Sequence, residues 1–108
     1  MQVIGIFHMK LIELHLEKIY DLCLKYKVKT LSAFGSILTE RFNDESDVDF
    51  LFRFEPEVDY NNYADLYFAL LEELKLLFGR EVDLVDEKTL RNPYFIKAVE
   101  STKQPIYG

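Results

Sequence analysis

The chain is predicted to fold as an α/β domain, a small β-sheet with helices packed mainly on one face. Three features predict it. Short runs rich in β-formers alternate their side chains at period two, longer stretches between them repeat apolar residues at helical spacing, and glycines stand at two of the junctions. At 108 residues, with 49% hydrophobic and 15% aromatic content, the chain can close one core and little more. One domain over residues 1–108 is therefore expected.

Taken in order, Ile12, Leu16, Ile19, Tyr20 and Cys23 recur at helical spacing while Glu13, Glu17, Lys18 and Asp21 fill the other face. This predicts an amphipathic helix over 10–26 that covers one face of the sheet. Lys29 to Phe34 reads as a short strand, Gly35 permits a sharp exit, and Ser36 opens a short helix around Ile37 to Phe42. In Asp47 to Phe54, Val48, Phe50, Phe52 and Phe54 alternate with Asp47, Asp49, Leu51 and Arg53, which predicts a strand. From Tyr60 or Asn62 to Phe78, residues such as Tyr63, Tyr67, Leu70, Leu71 and Leu74 repeat at three- and four-residue steps, and Gly79 ends that helix as a C-cap. Glu81 to Asp86 alternates again, with Asp83 and Val85 on one face.

The chemistry gathers around Gly35-Ser36 and Ser46-Asp47-Val48-Asp49. On a strand Asp47 and Asp49 point the same way with Cα atoms roughly 6.5–7 Å apart, so both carboxylates can converge on one or two hard cations. Amide groups at the start of a helix attract anions. A Gly-Ser turn beside an aspartate pair thus has a place for a triphosphate tail and for the Mg²⁺ that bridges it. A lone Asp-x-Asp is more often a pair of solvent-facing residues on an edge strand, and the adjoining Gly-Ser turn is what tips the reading towards metal. Ser36 and Ser46 are candidate nucleotide-binding residues, with helix capping or turn closure the simpler role, above all for Ser46. An EF-hand reading of 44–54 fails because Val48 or Leu51 falls at ligand positions and no central glycine is present.

With these residues in place the chain resembles the minimal nucleotidyltransferases of the DNA polymerase β-like superfamily. The signature is Gly35-Ser36, a spacer, then Asp47-Val48-Asp49 on the next strand. The resemblance implies a mixed sheet and a third carboxylate on a later strand, for which Asp83 is the well-placed candidate. It also implies a closing helix and a short final strand between Asn92-Pro93 and Gly108, and it covers roughly residues 10–108. Asp47, Asp49 and Asp83 are then the catalytic and metal residues, holding two Mg²⁺ ions, while Gly35, Ser36 and Ser46 hold the nucleotide triphosphate. Asp83 also accepts the proton of an attacking hydroxyl, and transfer of AMP from ATP releases pyrophosphate. Where many members carry a basic residue and then a glycine after Gly-Ser, this chain has Ile37, Leu38, Thr39 and Glu40; Arg41 is a possible substitute.

One minimal domain leaves the acceptor side open, so a partner chain is expected to complete it in a hetero-oligomer. Many such proteins resemble the antitoxin of a two-gene module whose toxin is a HEPN-domain ribonuclease, inactivated by AMP placed on one of its tyrosines. Two other readings stay open, an antitoxin that neutralises by contact alone and an aminoglycoside-type small-molecule transferase completed by a partner subunit. Tyr60, Tyr63 and Tyr94 would suit a protein interface and equally the core.

A net charge of -6 with no basic stripe argues against nucleic acid as the direct partner. A single cysteine, Cys23, excludes an internal disulfide and fits a reducing, cytoplasmic setting, and its place on an apolar helix face makes it core. His8 and His15 have no metal-ligand spacing. The apolar run Val3 to Phe7 is too short for a signal peptide, and nothing approaches a membrane span.

Overall fold

The computed structural model describes residues 8–108; the Val3 to Phe7 run lies outside them. Two helices, α1 (Met9–Glu13) and α2 (Leu16–Lys25), precede strand β1 (Val28–Phe34) and a single 3₁₀ turn at Gly35–Leu38. Then come β2 (Val48–Phe54), the long α3 (Tyr63–Phe78), β3 (Val82–Asp86), a 3₁₀ turn at Glu87–Thr89, α4 (Pro93–Thr102) and β4 (Gln104–Tyr107).

The four strands form one mixed sheet in the order β3-β2-β1-β4. β1 runs antiparallel to both β2 and β4, whereas β2 and β3 are parallel and are joined by the α3 crossover that parallel neighbours require. The expected α/β fold, with its mixed sheet and helices mainly on one face, is the one observed.

Alternation along the strands divides the sheet into two faces. Val28, Leu31 and Ala33 of β1, Val48, Phe50 and Phe52 of β2, and Val82 and Leu84 of β3 enter the main core, with Ile12, Ile19, Leu22 and Cys23 from α1 and α2 and Leu70 and Leu74 from α3. Each fully buried side chain of this size contributes about 1.5–3 kcal/mol. The opposite face carries a smaller cluster of Phe34, Leu51 and Val99, flanked by Val85 and Leu90, so α4 alone covers that side. Leu51, which shares the aspartates' side of β2, is fully buried there.

Two sequence expectations are corrected. The helix over 10–26 is interrupted at Leu14-His15, where His15 donates its backbone N–H to Ile12 O, three residues back. The helix expected around Ile37 to Phe42 begins earlier, at Gly35, and ends at Leu38, because the Thr39 side chain turns back onto Ser36 O at 2.8 Å. Elsewhere the boundaries agree within a residue or two, and Gly79 caps α3 in the left-handed region at φ 65°.

Candidate active site

The strand ends bring the signature residues together. β1 delivers Phe34 opposite Asp49, so the turn that follows, Gly35-Ser36, lies beside the start of β2. Across the parallel pair, Asp49 is in register with Asp83. Asp47 stands immediately before β2, exposed, as is Asp83, while Asp49 between them is half-buried.

Gly35 is held at φ 79°, and a Cβ placed there would come within 2.2 Å of Asp49 Oδ2. Turn and carboxylate are therefore packed together with no room for a side chain between them. Burial, then the charges of Asp83 and Asp47, push the Asp49 carboxyl up to about 6, against the lowering effect of a hydrogen bond from the Ser36 backbone. Burial is the larger cause, and the charges of Asp83 and Asp47 add to it. Among the described residues no three His, Cys, Asp or Glu side chains are gathered as a ligand set. Asp49 and Asp83 share a backbone register, and Asp47 stands one residue before the strand. All three offer hard oxygen donors, which suit Mg²⁺ held by a few carboxylates together with substrate phosphates.

The loop that carries Asp47 is braced from β3. The Ser46 hydroxyl accepts from Asn43 N–H at 3.0 Å, and Ser46 N–H donates to Asn43 O at 3.1 Å, which closes a turn. Arg80, two residues before β3, donates through Nη1 to Asn43 O at 2.9 Å and to Ser46 O at 2.8 Å, with its guanidinium 4.7 Å from the Phe42 ring centroid. Sequence reasoning missed Arg80. Its targets are loop carbonyls, which no motif marks. Arg41 is bonded through its backbone, its N–H donating to Thr39 Oγ1 and its carbonyl accepting from Asn43 Nδ2.

The remaining candidates separate by environment. Tyr63 is half-buried and donates to Asp86 Oδ2 at 2.5 Å, so it is a structural residue, whereas Tyr60 and Tyr94 are exposed. His15 packs edge-on against Phe78 and His8 lies 5.1 Å from Phe42. Cys23 is buried, and its thiol is pushed up to about 12 by desolvation.

A model of the family described as "Polymerase beta, Nucleotidyltransferase" matches residues 17–108. The chain belongs to the polymerase beta nucleotidyltransferase family. Among relatives of this nucleotidyltransferase is "Putative protein adenylyltransferase MJ1379" of Methanocaldococcus jannaschii, 40% identical over 78 residues, spanning 70% of this chain and 74% of that protein. A solved structure described as a "putative minimal nucleotidyltransferase" is 27% identical, with a TM-score of 0.66 over 90% of this chain and 94% of the other. The fold is also that of a chain in a complex of tri-AMPylated Shewanella oneidensis HEPN toxin with MNT antitoxin, at a TM-score of 0.61 and 21% identity, covering 89% of this chain and 71% of that one. No helix among the described residues is long and apolar enough to cross a membrane.

Proposed function

We propose that this nucleotidyltransferase transfers AMP from ATP to a tyrosine hydroxyl of a partner HEPN-domain ribonuclease toxin and is its cytoplasmic antitoxin. The observation that carries the reading is the register of Asp49 with Asp83 beside the Gly35-Ser36 turn, with Asp47 one step before the strand. The adenylyltransferase name of a relative at 40% identity supports the class of reaction, and the fold shared with an antitoxin bound to an AMPylated toxin supports the partner.

Asp47, Asp49 and Asp83 would hold two Mg²⁺ ions, one of them shared with Asp83. Bound there, Mg²⁺ supplies charge compensation for the attacking and leaving oxygens. Gly35 lets the backbone approach the β- and γ-phosphates, Ser36 offers its hydroxyl to them while its amide holds Asp49, and Ser46 holds the turn that presents Asp47. Asp83 accepts the proton of the tyrosine hydroxyl as its oxygen attacks the α-phosphorus in line and pyrophosphate departs. The acceptor enters from the open side of the domain, where the partner forms the missing wall.

Contact-only neutralisation is the competing reading. It is favoured by the burial of Ile37 and Leu38, which anchors in the core the positions directly after Ser36. Incubation of the chain and its toxin with α-labelled ATP and Mg²⁺ distinguishes the two. Label on a toxin tyrosine is expected, together with its loss when Asp47 and Asp49 are both changed to Asn and the fold, by circular dichroism, is retained. Inhibition of the ribonuclease with no label transferred would leave the contact reading standing.

A further inference from the structure

We infer that the chain is its own substrate, accepting AMP on the hydroxyl of Tyr94 at the start of α4; the inference rests on the reaction proposed above. It follows from where the tyrosines stand. The chain has seven, and three hydroxyls are committed: Tyr26 donates to Glu73 Oε2 at 2.8 Å, Tyr63 to Asp86 and Tyr67 to Leu84 O at 2.6 Å, while Tyr20, on a helix that packs on the opposite face of the sheet, lies tilted against Tyr107 with ring centroids 5.7 Å apart. Tyr60 and Tyr94, exposed at 95% and 85%, have hydroxyls with no bond among the described residues.

Position separates these two. Tyr60 precedes α3 and borders a cleft with Tyr63, Asp86 and Thr89, beyond the far end of β3 from Asp83. The start of α4, which carries Tyr94, lies at the strand end that leads into Gly35-Ser36. The neighbouring Phe95 sets its ring edge-on against Phe34, with centroids 6.1 Å apart, and Phe34 is both the strand partner of Asp49 and the residue before Gly35-Ser36. The start of α4 is fixed as well. Asn92 Oδ1 accepts from Tyr94 N–H at 2.9 Å and Phe95 N–H at 3.2 Å, and Pro93 sets the first helical φ. A solvated phenol is thus carried on a rigid helix start that packs, through Phe95, beside the strand end leading into Gly35-Ser36.

The step balances as in transfer to any hydroxyl. The Tyr94 oxygen bonds to the α-phosphorus, the bond from that phosphorus to the bridging oxygen breaks, pyrophosphate leaves, and the phenolic proton passes to a carboxylate. The product carries a phosphodiester charge beside Asp47, Asp49 and Asp83. By like-charge repulsion it should oppose entry of the next triphosphate, so self-modification would restrain the enzyme when no partner is bound.

The test is intact-mass and peptide mapping of the full chain after incubation with ATP and Mg²⁺, with and without the toxin. The expected result is a single AMP adduct on Tyr94 that persists in Tyr60→Phe and disappears in Tyr94→Phe and in Asp49→Asn. Tyr94→Phe should still label the toxin. An adduct that survives Tyr94→Phe, or labelling of the toxin with none on this chain, would overturn the inference and leave the proposed function intact. Absence of label on both polypeptides would overturn both.

Discussion

At Gly35, backbone and chemistry constrain one another. Its φ of 79° disfavours any other residue, and a methyl group would meet Asp49 Oδ2 at 2.2 Å. Gly35→Ala is therefore expected to cost about 1–2 kcal/mol of stability, measured by urea unfolding. AMP transfer should fall roughly a hundredfold as Asp49 is displaced. Gly79 has the same handedness of backbone but nothing within 4 Å of an added Cβ, so Gly79→Ala serves as the control that loses stability alone. Asp49 itself should make stability pH-dependent in metal-free buffer. Its folded pKa, about 6, lies above the ordinary aspartate value of 3.8, so between these the native state binds more protons than the unfolded state. Stability therefore declines as pH rises through that window. Asp49→Asn should raise Tm at pH 8 and leave it unchanged near pH 3, and an equal effect at both would contradict the assignment.

Elements follow from sequence to the extent that their side chains announce a period. Alternation in 47–54 and 81–86 gave both strands, because each presents one face to the main core. The pause at Leu14-His15 was not legible. Ile12, Leu16 and Ile19 keep facing the core across it, and apolar spacing specifies a face rather than an unbroken hydrogen-bond ladder. Leu51 was equally silent. It alternates with Asp49 and Arg53 on what reads as a polar edge, and only α4, more than forty residues later, buries it against Val99. The aspartates and the Gly-Ser turn could be read directly because their chemistry is local, whereas Arg80 acts on carbonyls of another element. Since Arg80 fixes the loop that ends in Asp47, Arg80→Ala should lower AMP transfer roughly ten- to a hundredfold, as loss of an outer support commonly does. Arg80→Lys should recover little, because the shorter ammonium loses the guanidinium plane that lies over the Phe42 ring.

Across the whole molecule, β1 is the central connection. It pairs with β2 on one side and β4 on the other, and it ends at the Gly35-Ser36 turn. Removing residues 104–108 would leave the edge of β1 unpaired at Leu31, Ser32 and Ala33 and uncover the core beneath Ile106. The expected outcome is concentration-dependent association together with a lower Tm, read by light scattering and thermal melts. Retention of a monomer with unchanged Tm would show that β4 is dispensable.

The parallel alignment of β2 with β3 has one more effect. A slip of β3 by a single residue would turn Asp83 into the core beneath α3 and bring Val82 or Leu84 out towards Asp49. Only one alignment of the two strands both packs the core and turns Asp83 to the same side as Asp49. If the aspartates hold a divalent cation as proposed above, a misaligned copy of the domain would lose that capacity together with its packing.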